Sequence, residues 1–225
     1  YMELALYHAP LGYYRNGAIK FGRAGDFVTA PEISPLFSAC LARQCRQIFS
    51  SIMRPCIIEF GAGSGRLAVD LLTALKTEEA LPEEYIIVEL SAELRTRQQD
   101  LIEKQIPSML SLVRWVDVLP CDVDGVVIAN EVLDAMPVEK FVIDKGIRQS
   151  TVGQDNGRLI WRDRPILNAQ LLERIESLGV STEGYFESEI NMLMNGWLRS
   201  IASCLHRGVV LLIDYGFPRH EYYHH

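Results

Sequence analysis

The run Cys56-Ile57-Ile58-Glu59-Phe60-Gly61-Ala62-Gly63-Ser64-Gly65-Arg66 constrains the fold of this chain more than any other stretch. A short apolar strand passes through an acid into glycines at alternate positions, and a helical pattern follows. Glycines at such a turn let the backbone bend tightly and let a ligand come close. The next helix offers unpaired N–H groups at its start, which suits polar or anionic ligand atoms. A nicotinamide-dinucleotide fingerprint would place its third glycine where this chain carries Arg66, so the spacing argues against a hydride-transfer site.

A second acid supports a cofactor edge. Tyr85-Ile86-Ile87-Val88-Glu89-Leu90 reads as another buried strand ending in a carboxylate. In a doubly wound sheet, the acid at the end of the second strand accepts hydrogen bonds from ribose hydroxyls. With Glu59 and Glu89 in these places, Gly61, Gly63 and Gly65 resemble the acid-x-G-x-G-x-G loop of S-adenosylmethionine (SAM) methyltransferases.

The rest of the chain alternates strands and helices. Met2 to Tyr7 is helical, and a loop rich in glycine and aromatics (Tyr13, Tyr14, Phe27) follows. Ser34-Pro35 opens a helix with Ser at the cap and Pro in the first turn. Strands are predicted at 56–60, 85–90, 113–116, 125–129 and 209–214, and helices at 64–76, 91–104, 166–178 and 187–205. Asp144-Lys145-Gly146 and Asp155-Asn156-Gly157 signal hairpins, so 138–164 reads as a small antiparallel insertion. The expected fold is α/β, a mostly parallel Rossmann-like sheet with helices on both faces. The expected organisation is an N-terminal lid and helical segment at 1–53, a core at 54–137 and 187–218, and an insertion at 138–186 that serves the substrate.

Composition narrows the partners. The 225 residues carry 22 Lys and Arg against 29 Asp and Glu, a formal charge of −7. That balance disfavours nonspecific binding to nucleic-acid backbones and suits a basic partner. The five cysteines show no C-x-x-C spacing, which fits structural thiols in a reducing compartment. No apolar run approaches the length of a membrane span. The chain opens on Tyr1 and not Met, which leaves room for a missing start or a removed targeting segment. His220, His224 and His225 read as a frayed end or tag remnant before a metal site.

Three long strings carry a closer resemblance. Ala129-Asn130-Glu131-Val132-Leu133-Asp134-Ala135-Met136-Pro137-Val138, the stretch from Gly22 to Phe37, and Ile213-Asp214-Tyr215-Gly216-Phe217-Pro218 closely resemble the MidA-type methyltransferases. These are bacterial proteins and mitochondrial assembly factors for respiratory complex I. The resemblance implies a class I SAM methyltransferase fold with S-adenosyl-L-methionine as cofactor. It further implies transfer to an arginine on a partner protein, a complex I subunit for the mitochondrial members. A cytoplasmic location follows, or the mitochondrial matrix in a eukaryote. Five core strands are two fewer than such a sheet usually has, so C-terminal strands are expected beyond this chain.

Roles can then be assigned to residues. Glu59, Gly61, Gly63 and Gly65 are expected to hold the methionine half of the cofactor, and Glu89 the ribose. Asp117 is a candidate for the adenine amino group or a plain loop acid. Asn130 orients its loop or meets the cofactor, and Arg23 is a candidate for the cofactor carboxylate. An arginine acceptor is always charged, so its site needs carboxylates that clamp the guanidinium fork. Glu131 and Asp134, three apart, would share one side of a helical turn and are the catalytic candidates. Asp26, Thr29, Glu32 and Tyr215 are candidates for the substrate rim, with Asp214 also at the ligand edge. The competing reading is a non-catalytic SAM-fold module for assembly of a respiratory complex. A small-molecule or nucleic-acid methyltransferase is disfavoured by the acidic charge and by Asn130-Glu131-Val132-Leu133 standing where amino-methyltransferases often carry an Asn/Asp-Pro-Pro-aromatic tetrad.

Overall fold

The computed structural model describes residues 1–9, 11–14, 28–181 and 184–223. The chain begins with α1 (Met2–Tyr7), α2 (Ala30–Ile33), α3 (Pro35–Phe49), β1 (Cys56–Phe60), α4 (Arg66–Thr77), β2 (Glu84–Val88) and α5 (Ala92–Gln105). A 3-10 turn (Pro107–Leu112) leads to β3 (Val113–Val116) and β4 (Val123–Asn130). Then come β5 (Glu139–Ile143), β6 (Ile147–Asp155), β7 (Arg158–Pro165), α6 (Ala169–Glu176) and β8 (Phe186–Ile190). The last elements are α7 (Met194–Cys204), β9 (Leu205–Ile213) and α8 (Arg219–Tyr222). The chain divides into two compact units: Asn16–Asp134 with Leu198–Asp214, and Tyr1–Arg15 with Ala135–Trp197 and Tyr215–His225.

The first unit is built on a five-stranded parallel sheet in the order β3-β2-β1-β4-β9. Its strands are continuous apolar runs because both faces are covered. Ile57, Tyr85, Ile87, Val126 and Ile128 join a core with Leu41 and Cys45 of α3 and Leu71, Leu72 and Leu75 of α4. Their neighbours of opposite parity, Ile58, Ile86 and Val127, are just as buried. Helix starts follow the local chemistry. Ser34 Oγ accepts from Leu36 N–H ahead of Pro35, and Ser91 Oγ accepts from Leu94 N–H at the start of α5.

The second unit holds an antiparallel sheet in the order β7-β6-β5-β8. Asn156 and Gly157 join β6 to β7 with φ of 46° and 79°, the left-handed pair that a tight two-residue hairpin requires. Phe141, Ile143, Leu171, Ile175, Phe186 and Ile190 form its core. In the same unit Tyr7 stacks on Tyr14 at 5.3 Å and donates its hydroxyl to the Ala135 carbonyl at 2.7 Å.

One element departs from the sequence reading. The helix predicted at 187–205 is a strand over Phe186–Ile190, and the helix begins only at Met194. Phe186 and Ile190 are buried while Glu187 and Glu189 are exposed, a period of two that registers β8 against β5. Ile190 therefore belongs to the strand's inner face.

Candidate active site

Strand register assembles the site. Phe60 lies opposite Val88 on one side and Ala129 on the other, and Ala129 lies opposite Leu212. One step beyond that row stand Gly61, Glu89 and Asn130, and Asp214 follows Ile213. Four segments far apart in sequence thus reach the same carboxyl edge. Because β2 lies on one side of β1 and β4 on the other, this edge is the switch point where α/β sheets open a crevice for ligands.

The glycine loop takes the conformation that its sequence implies. Gly61, Gly63 and Gly65 have φ of 62°, 52° and 85°, in the left-handed region that side chains resist. Space is short as well. A Cβ on Gly65 would stand 3.3 Å from the Cα of Gln98, and one on Gly61 would stand 3.2 Å from Cγ2 of Val132. The loop is thereby packed between α5 and the turn that follows β4, and it opens the 12-residue helix α4.

Glu59 sits within this frame at 2% exposure, and the Tyr85 hydroxyl donates to its Oε2 at 2.7 Å. Burial pushes its carboxyl up to about 7; the neighbouring Glu89 adds to the rise and the Tyr85 hydrogen bond opposes it. Glu89 is 9% exposed. Its Oε1 accepts from Ser91 N–H at 2.8 Å, and its Oε2 accepts from Gln98 Nε2 at 3.2 Å. Gln98 also donates to the Gly63 carbonyl at 3.0 Å and accepts from Trp115 Nε1 at 2.9 Å. Arg95 Nε donates to the Glu89 carbonyl at 2.6 Å, and the same guanidinium pairs with Asp117, whose side chain is 69% exposed.

After β4 the backbone turns sharply. Glu131 has φ of 51°, so Glu131 and Asp134 lie on an irregular turn and not on the helical turn expected from their spacing. The Asp214 carboxylate holds that turn, accepting from Leu133 N–H at 2.8 Å and from Asp134 N–H at 3.2 Å. Glu131 N–H in turn donates to the Ile213 carbonyl at 2.8 Å. Burial raises the Glu131 pKa, with the carboxylates of Asp134 and Asp214 adding and an Asn130 hydrogen bond opposing.

Glu32, expected at a substrate rim, accepts instead from the Ser64 hydroxyl inside the glycine loop. Thr29 sits at the N-cap of α2 with its carbonyl accepting from Glu32 N–H at 2.9 Å. Tyr215 is 79% exposed and belongs to the second unit. Arg23 and Asp26 lie outside the described residues. Sequence reasoning missed Gln98, Tyr85, Ser64 and Arg95. For Gln98 a signal existed: it lies four residues before Ile102, and these two are the buried residues of an otherwise polar helix.

The loop and its surroundings fit a ligand with a polar end and a ribose. The cradle excludes side chains, and the next strand's acid is tied to it through a single amide. Residues 40–225 match the family described as "Putative S-adenosyl-L-methionine-dependent methyltransferase". The chain belongs to the MidA-type family of SAM-dependent methyltransferases.

This MidA-type chain superposes with a TM-score of 0.92 on a Burkholderia thailandensis protein crystallised with S-adenosyl-homocysteine, at 43% identity; the match covers 100% of this chain and 59% of that one. A native crystal structure, also from Burkholderia thailandensis, gives 0.88 at 42% identity, covering 100% of this chain and 57% of that one. The mitochondrial protein arginine methyltransferase NDUFAF7 of Danio rerio is 27% identical over 251 aligned residues, 96% of this chain and 57% of the relative. Its Drosophila melanogaster homologue is 37% identical over 78 residues, 33% of this chain and 18% of the relative. The chain thus spans less than two thirds of the length of each of these relatives. Among the described residues no helix is long and apolar enough to cross a membrane, and no cluster of His, Cys, Asp or Glu is suited to a metal.

Proposed function

We propose that this chain carries the cofactor and transfer site of a SAM-dependent methyltransferase whose acceptor is an arginine of a partner protein. The observation that carries the reading is the close packing of the Glu131–Asp134 turn on the cofactor loop through Val132 and Gly61. Carboxylates for a cationic acceptor thereby stand beside the cradle for the methyl donor. The names of the NDUFAF7 relatives support arginine as the acceptor.

When bound, S-adenosyl-L-methionine supplies an electrophilic methyl group. Gly61, Gly63 and Gly65 would let the backbone approach its polar end, and Glu89 would accept from the ribose hydroxyls. Tyr85 holds Glu59 beneath the loop. Glu131 and Asp134 clamp the guanidinium, which stays charged at any working pH and must therefore be oriented rather than deprotonated in advance. As the acceptor nitrogen bonds the methyl carbon, the carbon–sulfur bond would break, S-adenosylhomocysteine would leave, and the nitrogen would give up a proton. A Glu131 carboxylate oxygen receives that proton.

Calorimetric titration with S-adenosylhomocysteine, followed by mass spectrometry of a methylated partner, tests both halves. Gly63→Arg fills the cradle and abolishes binding. Glu131→Gln binds as the wild type does but transfers methyl about 100-fold more slowly or worse. Wild-type turnover in Glu131→Gln would remove the catalytic role, and a wild type that fails to bind would overturn the cofactor site.

A further inference from the structure

Resting on the cofactor reading above, we infer that Gln98 is a positioning residue: its amide locks the Glu89 carboxylate to the glycine loop and so sets how strongly a ribose is recognised. Gln98 is fully buried, yet every polar atom of its side chain is engaged. One N–H goes to the Gly63 carbonyl at 3.0 Å and the other to Glu89 Oε2 at 3.2 Å. The amide oxygen accepts from Trp115 Nε1 at 2.9 Å.

Trp115 decides which way the amide faces. An indole N–H can only donate, so it requires the oxygen end of Gln98. A flipped amide would set N–H against N–H at Trp115 and oxygen against oxygen at Gly63 and Glu89. The donors are therefore directed at the loop and the acid by chemistry, and burial leaves no water to substitute. Ser91 N–H holds the other carboxylate oxygen at 2.8 Å, and Arg95 Nε fixes the Glu89 carbonyl at 2.6 Å. Gly65 lets Gln98 come this close, since a Cβ there would stand 3.3 Å from the Gln98 side chain. Each Glu89 carboxylate oxygen thus has a protein donor that fixes its orientation at the cofactor edge, and a carboxylate oxygen can accept a second hydrogen bond from a diol.

The experiment compares S-adenosylhomocysteine with its 2′-deoxy form by calorimetry. The proteins are the wild type, Gln98→Leu, Trp115→Phe, Glu89→Gln and the Gln98→Leu/Glu89→Gln double variant. The wild type prefers the ribose form by about tenfold, the worth of one well-held hydrogen bond. In Gln98→Leu that preference falls to about twofold or less, and Trp115→Phe lies between the two. Glu89→Gln loses the preference, and adding Gln98→Leu to it changes nothing further. Thermal melts of the ligand-free variants record structural damage separately.

An unchanged ribose preference in Gln98→Leu, whatever its absolute affinity, overturns the inference and leaves Gln98 a packing residue. Should Gln98→Leu fail to fold, an unchanged preference in Trp115→Phe does the same. A wild type that binds both ligands equally overturns the inference but keeps the cofactor site. A wild type that binds neither overturns the cofactor reading itself.

Discussion

A carboxyl group without water around it holds its proton, and Glu59 is such a group. Its folded pKa of about 7 lies above the ordinary value of 4.5, because burial outweighs the hydrogen bond from Tyr85. Between those values the folded protein keeps a proton that the unfolded chain has released. Stability therefore falls as pH rises from about 4.5 to about 7 and is level beyond. Glu59→Gln keeps an acceptor for Tyr85 and removes the titration. Chemical denaturation at several pH values is expected to show a flattened slope in Glu59→Gln, with a gain over wild type on the order of 3 kcal/mol at pH 8. The sequence marks Glu59 as an acid beside a glycine loop, a pattern that says nothing of the tyrosine 26 residues away that hydrogen-bonds it.

Between residue and sheet, short connections decide where the chemistry sits. The turn after β4 places a non-glycine residue, Glu131, at a φ of 51°, a conformation that costs on the order of 1 kcal/mol. Asp214, 80 residues after Asp134, offsets that cost by capping two N–H groups of the same turn. Asp214→Ala is expected to lower stability by about 1 kcal/mol, through the loss of one part-buried and one exposed hydrogen bond, and to slow methyl transfer while S-adenosylhomocysteine still binds. Urea unfolding and calorimetry check the two parts, and Asp214→Asn, which keeps an acceptor oxygen, is expected to recover part of the stability. A spacing of three between Glu131 and Asp134 reads equally well as a helical turn. What settles the matter is a carboxylate arriving just past the end of β9, which no local pattern announces.

At the scale of the whole chain, each of the two sheets has hydrophobic packing of its own among the described residues. That of the parallel sheet is centred on β1 and α4, that of the antiparallel sheet on Phe141 and Phe186. Phe141→Ala empties a fully buried site in the antiparallel unit, with an expected loss of about 3 to 5 kcal/mol. Saturation with S-adenosylhomocysteine stabilises the parallel unit by about 2.7 kcal/mol at a hundred times Kd. Differential scanning calorimetry is expected to resolve the two, with Phe141→Ala shifting one transition and the ligand shifting the other. A single transition moved equally by both would mean that the units unfold as one. The sequence by itself determined the parallel strands, the glycine cradle and the hairpins, because each rests on local periodicity or on a backbone angle that only certain residues tolerate. It also placed Glu59 and Glu89 near the carboxyl ends of the first two strands, and Glu131 and Asp134 just after the fourth. Tertiary structure alone decided that Phe186–Ile190 is a strand, that Glu32 bonds Ser64, that Asp214 shapes the turn, and that Gln98 joins the loop to Glu89. Each of these depends on strand register and helix packing, which bring together residues whose separation along the chain carries no trace of the contact.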